Sequence, residues 1–461
     1  MNFGLCPCFG LLIRSNFKSY PQLSRHFSAI RVLGIESTCD DTCAAVVTSD
    51  KRILSDVRFS GLKLHVARGG ILPTTARANH ATAINGVVKE ALGKADCTIN
   101  EIDFVAVSYK PGLILSLGIG VDYARRLCLK YNKPLIAIHH MEAHALTAHL
   151  SHSDIDFPFL TLLISGGHTM LVLVKGVDEF YLLSESNICP VGEFLDKIAR
   201  QLKIRNLGPP YDSVSGGRAL EILAEKGKPI HYSNSWVGGK SNCFNFNINN
   251  LKGFWHNIIK NAKINNPNLP VDSPLPDVAD IAAGIQRSIV YHIGSRIQRI
   301  VKYLEATNMI NIVNSENLSK LRLDDLPCKI NYLDPKPVKL KLVISGGVGC
   351  NKYIVAKLKD YCDKMDTFYD ETKIEVVAPS PRHLCTDNGV MIAWNGILKL
   401  IHKCDNNCVN NILLREADIM SLEPVHEAQL GEDVRQLIDT SWIVIKPLQK
   451  ESKVVPKNEV K

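Results

Sequence analysis

The chain has 461 residues, 46% of them hydrophobic and 22% charged, with 30 glycines and 22 prolines. That length predicts two or three domains with full cores, and the near-average composition excludes collagen-like, linker-like and wholly disordered chains. Fifty-four Lys and Arg against 46 Asp and Glu give a net charge of +8, a mild lean toward polyanionic partners.

No apolar run reaches transmembrane length, so no membrane insertion is expected. The fourteen cysteines are scattered without a C-x-x-C pair, which fits buried free thiols in a reduced compartment better than a disulfide framework. From Met1 to Arg31 the basic residues are Arg14, Lys18, Arg25 and Arg31, and Glu36 is the first carboxylate. An acid-poor segment bearing Arg and Ser reads as a mitochondrial transit peptide. The rival, a secretory signal, has only the short apolar run Phe9 to Ile13 and no small-residue cleavage site after it.

Structure is expected to begin at Val32–Ile35, with the polar stretch 36–42 and then Ala44–Val47 completing a hairpin. The helical spacing of Ile84, Val87, Val88, Ala91 and Leu92 predicts one apolar helix face. The same strand–loop design recurs at Phe159–Ile164 with Ser165-Gly166-Gly167-His168-Thr169, and at Leu340–Ile344 with Ser345-Gly346-Gly347. Repetition of this unit suggests a duplicated α/β architecture. Asp280–Ile300 reads as a long amphipathic helix. The runs 265–277 and 311–337 read as loops, the second an insertion, and the polar tail beyond Ser421 is left unplaced. The expected division is a transit peptide at 1–31, a first α/β lobe at 32–152 and a second at 153–400 with an insertion near 305–339. A C-terminal extension covers 401–461.

The strand-like Pro134–Ile138 runs into His139-His140-Met141-Glu142-Ala143-His144. If a helix starts there, His140 and His144 stand one turn apart on one face, as a two-imidazole metal clamp requires. Neither zinc-peptidase pattern fits, because Met141 stands where H-E-x-x-H needs Glu and H-x-x-E-H misses by one residue. The plain alternative is a pair of solvated or core histidines. Two S-G-G loops at strand ends offer bare backbone N–H groups to phosphate oxygens, though neither matches a Walker or Rossmann pattern. Asp387, before a helix-like run from Gly389, reads either as a cap or as a carboxylate ligand beside the two histidines.

Taken together, these motifs resemble the universal tRNA threonylcarbamoyladenosine synthase family, transferases once misnamed O-sialoglycoprotein endopeptidases. The resemblance spans about Leu33 to Gly396. It rests on Gly34–Thr42, Pro111–Gly120, His140–His144, Ser165–Thr169, Gly192–Lys197, Ser345-Gly346-Gly347 with Asn351, and Cys385–Asn388. His168 is similar to the bacterial and organellar branch, which agrees with a transit peptide. The resemblance implies a two-lobed fold of the actin, sugar-kinase and heat-shock-ATPase type with the site between its lobes. It implies one divalent metal ion (iron, zinc or magnesium) on His140, His144 and Asp387. It also implies a nucleotide on Leu163, Ile164, Ser165, Gly166, Gly167, Asp196, Gly217, Glu221, Ser345, Gly346, Asn351 and Thr386. Two departures stand out. The family's F-S-F-S-G-L-K-T is lengthened and altered at Phe244–Gly253, and Ser215 and Arg218 replace the prolines usual around Gly216-Gly217.

The implied reaction moves a threonylcarbamoyl group from threonylcarbamoyl-AMP to N6 of adenosine 37 in tRNAs reading codons that begin with A, in the mitochondrial matrix, releasing AMP. A mixed anhydride needs no covalent nucleophile, only a Lewis acid and a positioned amine. Glu36, Asp40 or Asp41 would accept the amine proton. Partners are tRNA and threonylcarbamoyl-AMP, and a homodimer is compatible with the sequence. Lys63, Arg68, Arg77, Lys197, Arg200, Lys203 and Arg205 are the basic residues nearest the site segments. The competing classes are a sugar kinase or chaperone of the same fold, and a metallopeptidase.

Overall fold

A computed structural model describes residues 29–61, 70–186, 188–229, 244–307, 337–405, 413–414, 416–438, 443 and 445. Most of the expected leader and insertion, with Lys63 and Arg68, lies outside the described residues. The chain divides into two compact units. Among the described residues, the first draws on those within 29–157, 174–180 and 378–432, the second on those within 158–173, 181–377 and 433–445.

In the first unit β1 (Arg31–Glu36), β2 (Asp41–Thr48) and β3 (Ile53–Ser60) form the expected antiparallel hairpin and one strand more. On the other side of β1, β4 (Phe104–Lys110) and β5 (Leu135–His139) add in parallel. Parallel strands need crossovers, and α1 (Pro73–Lys94) and α2 (Ile114–Tyr131) supply them. Alternation assigns the faces of β1. Leu33 and Ile35 join Ile84, Val87, Val88 and Ala91 of α1 in one buried cluster. Each of the Leu, Ile and Val side chains contributes ~1.5–3 kcal/mol on burial. Gly34 points the other way, and a Cβ there would lie 2.2 Å from the Gly389 carbonyl oxygen. That close approach seats a later helix on the sheet.

A second sheet, most of it in the second unit, repeats the plan. β6 (Phe159–Ile164), β7 (Thr169–Gly176), β8 (Glu179–Glu185), β9 (Lys339–Ser345) and β10 (Lys373–Val377) run in the order β8-β7-β6-β9-β10, matching β3-β2-β1-β4-β5 strand for strand. This is the duplicated α/β fold expected. Two-residue strands extend each sheet, β11 (Leu413–Leu414) beside β5 and β12 (Glu432–Asp433) beside β8.

The helices of the second unit are α4 (Val191–Gln201), α5 (Gly216–Ala224), α6 (Ile248–Ile264), α7 (Val278–Thr307) and α8 (Lys352–Lys364). The segment expected as an amphipathic helix at 280–300 is the longer α7, buried nearly all round because α5, α6 and α8 pack on it. The altered Phe244–Gly253 stretch buries Phe246 and opens α6, with Asn247 accepting from the Asn250 N–H at 3.3 Å as the cap.

The units are not contiguous, unlike the boundaries expected from sequence. Residues 378–400, expected in the second lobe, belong to the first unit, where α9 (Gly389–Asp405) packs on β1 and β2. The physical reason is glycine on both sides of the contact. A Cβ on Gly389 would lie 2.5 Å from the Ala45 nitrogen, as one on Gly34 would strike Gly389. The polar tail also finds a place. The Val425 N–H donates to the Tyr109 carbonyl at 2.8 Å and the Gly112 N–H to the His426 carbonyl at 3.0 Å, bracing the loop after β4.

Candidate functional site

Strand β5 delivers the histidines. His139 ends it in an extended conformation and caps a short helix, α3 (His140–Leu146), its Nδ1 accepting from the Met141 N–H at 3.2 Å. Burial, with Lys110 and His140 nearby, pushes the His139 pKa down to about 3, so its ring stays neutral. One turn of helix then sets the His140 and His144 ring centroids 4.6 Å apart and nearly perpendicular. Both residues are buried, at 7% and 2% exposure.

Asp387 comes from the segment before α9. Asn388, not Asp387, is the helix cap, its Oδ1 accepting from the Met391 N–H at 2.8 Å. The Asp387 carboxylate is thereby left to the histidines. Its Oδ1 lies 3.1 Å from His144 Nε2 and 3.6 Å from His140 Nε2. The three ligand atoms all fall within 4.8 Å of one another. Bonds of ~2.0–2.2 Å to one ion would space N and O donors by ~3–3.5 Å, so the two Asp387 spacings of 3.1 and 3.6 Å match a shared ion.

The surroundings fit as well. Glu36, fully buried, sets Oε2 3.0 Å from His140 Nδ1 and takes the Thr38 N–H on Oε1 at 2.6 Å. With Nδ1–H donated to Glu36, the Nε2 lone pair faces Asp387, the carboxylate–histidine arrangement that orients metal ligands. Without an ion, burial opposes charge on His140, but Glu36 and Asp387 outweigh it and push the pKa up to about 9. Burial lowers that of His144 against the pull of Asp387. Asp387 is held well below the usual carboxylate range because His140 and His144 outweigh its burial. The donor set of two imidazoles and a carboxylate suits several divalent metals.

The acidic loop stands beside this trio. Burial and the Asp40 carboxylate push Asp41 up to about 6, against its ion pair with Arg58. Burial and Asp387 raise Asp40 likewise. Arg58 also donates to Thr386 Oγ1 at 2.9 Å, so Thr386 sits with the metal trio in the first unit. His80, fully buried in α1, ties the loop down, with Nε2 3.1 Å from the Cys39 carbonyl and Nδ1 2.7 Å from Thr42 Oγ1. Sequence reasoning missed Arg58 and His80. A lone cation on a strand and a lone histidine on a helix face carry no pattern to read.

In the second unit the glycine loops meet at the ends of β6 and β9. Gly346 has φ +93°, and a Cβ there would lie 2.5 Å from the Ile164 carbonyl oxygen. Gly192, opening α4, donates its N–H to the Ser165 carbonyl at 3.0 Å. Gly166, Gly167 and Gly347 face open space, with nothing within 4 Å of a built Cβ. Leu163 and Ile164 are buried and present only backbone there, while Ser345 Oγ is buried with no hydrogen-bond partner among the described residues. Asp196, its pKa raised by burial, accepts the Gly217 N–H at 2.8 Å. Glu221 is engaged on both oxygens, by Arg218 Nη1 at 2.5 Å and the Lys352 N–H at 2.7 Å. Asn351 caps α8 and donates to Gln286 at 2.8 Å. Of the basic residues expected to face tRNA, Lys197 pairs with Glu193 and Lys203 with Asp272.

These features define a duplicated α/β protein with a His-His-Asp ligand set capable of holding a metal ion. The sequence matches the profile of the TsaD family, tRNA N6-adenosine threonylcarbamoyltransferase, over residues 52–394. It is 37% identical over 425 residues to the mitochondrial tRNA N6-adenosine threonylcarbamoyltransferase of Xenopus tropicalis, covering 91% of this chain and 92% of that one. To the mitochondrial enzyme of Homo sapiens it is 37% identical over 370 residues, 80% of each chain. To the tRNA N6-adenosine threonylcarbamoyltransferase of Rhizobium leguminosarum bv. trifolii (strain WSM2304) it is 35% identical, covering 80% of this chain and 89% of that one. The chain belongs to the tRNA N6-adenosine threonylcarbamoyltransferase family, and is a transferase. No described helix is long and apolar enough to cross a membrane.

Proposed function

We propose that the chain transfers the threonylcarbamoyl group of threonylcarbamoyl-AMP to N6 of adenosine 37 in mitochondrial tRNAs reading codons that begin with A, releasing AMP in the matrix. The observation that carries this reading is the convergence of His140, His144 and Asp387, in a chain whose relatives are named for that transfer. The N6 lone pair forms the new bond to the carbamoyl carbon, the bond from that carbon to the phosphate oxygen breaks, and AMP leaves. A divalent ion on the trio (iron, zinc or magnesium) supplies, when bound, a Lewis acid for the charge developing on the carbamoyl oxygen.

The chain's own residues do the rest. Glu36 holds the His140 ring in its ligating tautomer. Arg58 occupies Asp41, which leaves Asp40 to take the N6 proton. Backbone from Leu163 to Gly167 and at Gly346 receives phosphate and purine, Ser345 offers its hydroxyl, and Asp196 binds the ribose. Gly217 fixes Asp196, while Glu221 and Asn351 hold the start of α8. Thr386 sets Arg58 beside Asp387.

The test is a reaction of the purified chain with threonylcarbamoyl-AMP and a tRNA transcript. Equimolar threonylcarbamoyladenosine and AMP are expected. AMP released without the modified nucleoside, or undiminished modification of mitochondrial tRNA after depletion of the chain, would sink the proposal.

A further inference from the structure

Helix α3 has seven residues, too few to hold an orientation by its own hydrogen bonds. Its ligands His140 and His144 lie on one face, and Glu142, two residues from each, lies on the other. Glu142 forms an ion pair at 2.8 Å with Lys399 of α9, and Lys399 donates to Asp178 at 2.7 Å. The Lys399 and Glu142 side chains are only 14% and 17% exposed. Lys403 reaches the second oxygen of Asp178 at 3.0 Å, from a more exposed position. Lys110, from the end of β4, is the other cation acting on Glu142.

The spacing along α9 gives this pair its leverage. Asp387 lies just ahead of the helix, before its cap Asn388, whereas Lys399 stands ten residues beyond Gly389, ~15 Å further on. The histidine helix is thus fixed to one rigid element at two separated points. One is the contact of His144 with Asp387, and the other is the contact of Glu142 with Lys399. Two fixed points set the angle at which a short helix lies, and that angle sets the spacing between the imidazoles and the carboxylate.

We propose that Lys399 is a positioning residue for the metal centre, acting through Glu142 to hold the histidines in register with Asp387. The proposal rests on the metal reading given above. Neither residue belongs to the ligand trio.

The experiment is a Co2+ titration of the metal-free full-length chain, followed by the visible absorption of the bound ion, with thermal melting in parallel. Lys399→Met should weaken Co2+ binding about tenfold or more and change the absorption band, because ligands held at the wrong angle bind with altered geometry. Lys399→Arg, which keeps the charge and reach, should restore both. Lys403→Met, which leaves the Glu142 contact intact, should change neither. If Lys399→Met fails to fold, Glu142→Gln carries the test, since it keeps the shape and removes only the ion pair.

Unaltered affinity and spectrum in the variant that folds overturn the tether. Failure of the unaltered chain to bind Co2+ overturns the metal reading, and the tether with it.

Discussion

Gly166→Val separates a glycine that the fold requires from one that a ligand requires. A Cβ at Gly166 meets nothing within 4 Å, so the folded chain has room for the new side chain. The loop closes without it, since Ser165 Oγ takes the Gly167 and His168 N–H groups at 3.3 and 3.1 Å. Stability should therefore change by less than about 0.5 kcal/mol, as for other exposed sites. Gly346→Ala is the contrasting case. There φ is +93° and the Cβ would lie 2.5 Å from the Ile164 carbonyl oxygen, so the fold itself should lose roughly 1–3 kcal/mol.

A phosphate seated on the 165–167 backbone would lose one charge-assisted hydrogen bond to the valine methyls, roughly 1.5–3 kcal/mol, or ~10–150-fold in Kd. Calorimetric titration with AMP and a non-hydrolysable donor analogue measures this, with melting curves as the control. tRNA affinity should be little changed. Equal nucleotide affinity in Gly166→Val and the unaltered chain would refute the reasoning and reduce the loop to a turn.

The remaining expectations concern the metal, pH and tRNA. His140→Ala or Asp387→Ala should abolish both bound metal and transfer while the melting curve stays cooperative. Metal content equal to that of the unaltered chain would remove these residues from the ligand set. Buried His149 is pushed down to about 4 by burial and by Lys51, so between pH 6.5 and 4 the unfolded chain takes up a proton that the folded chain refuses. Its contribution is complete above pH 6.5 and falls by about 3 kcal/mol as pH drops to 4. Replacing it by Phe, beside Phe157, should flatten that part of the stability–pH curve measured by denaturant titration, and an unchanged slope would count against it. Arg200→Ala with Lys203→Ala should reduce the salt dependence of tRNA binding by about 0.7–1.8 in log–log slope. The lower figure applies if Lys203 stays with Asp272, and an unchanged slope moves the tRNA surface elsewhere.

Local pattern was legible where local physics decides the outcome. The hairpin at 32–47, the apolar face of α1 and the one-turn spacing of His140 and His144 all follow from period and spacing. α7 misled because its polar residues mimic a wet face. They are satisfied inside instead, with Gln298 and Lys302 on Asp366, and Glu305 accepting from the Phe368 and Tyr369 N–H groups. Partners that lie some sixty residues away leave no periodic trace. Glu221, which the resemblance counts among the nucleotide contacts, is paired with Arg218, the residue that departs from the family's proline, a contact no sequence pattern announces.

The third metal ligand shows the limit most clearly. Asp387 and Asn388 are adjacent and are both good helix caps, and sequence does not say which one caps. The choice depends on where α9 begins, and that is fixed when Gly389 meets β2 and β1 at distances only glycine allows. With the helix starting there, Asn388 falls at the cap position and binds the Met391 N–H. Asp387 is one residue too early to cap, so its carboxylate is left to face His140 and His144. A ligand that reads from sequence as a possible cap is thus selected by a packing contact some 350 residues distant along the chain, between Gly34 and Gly389.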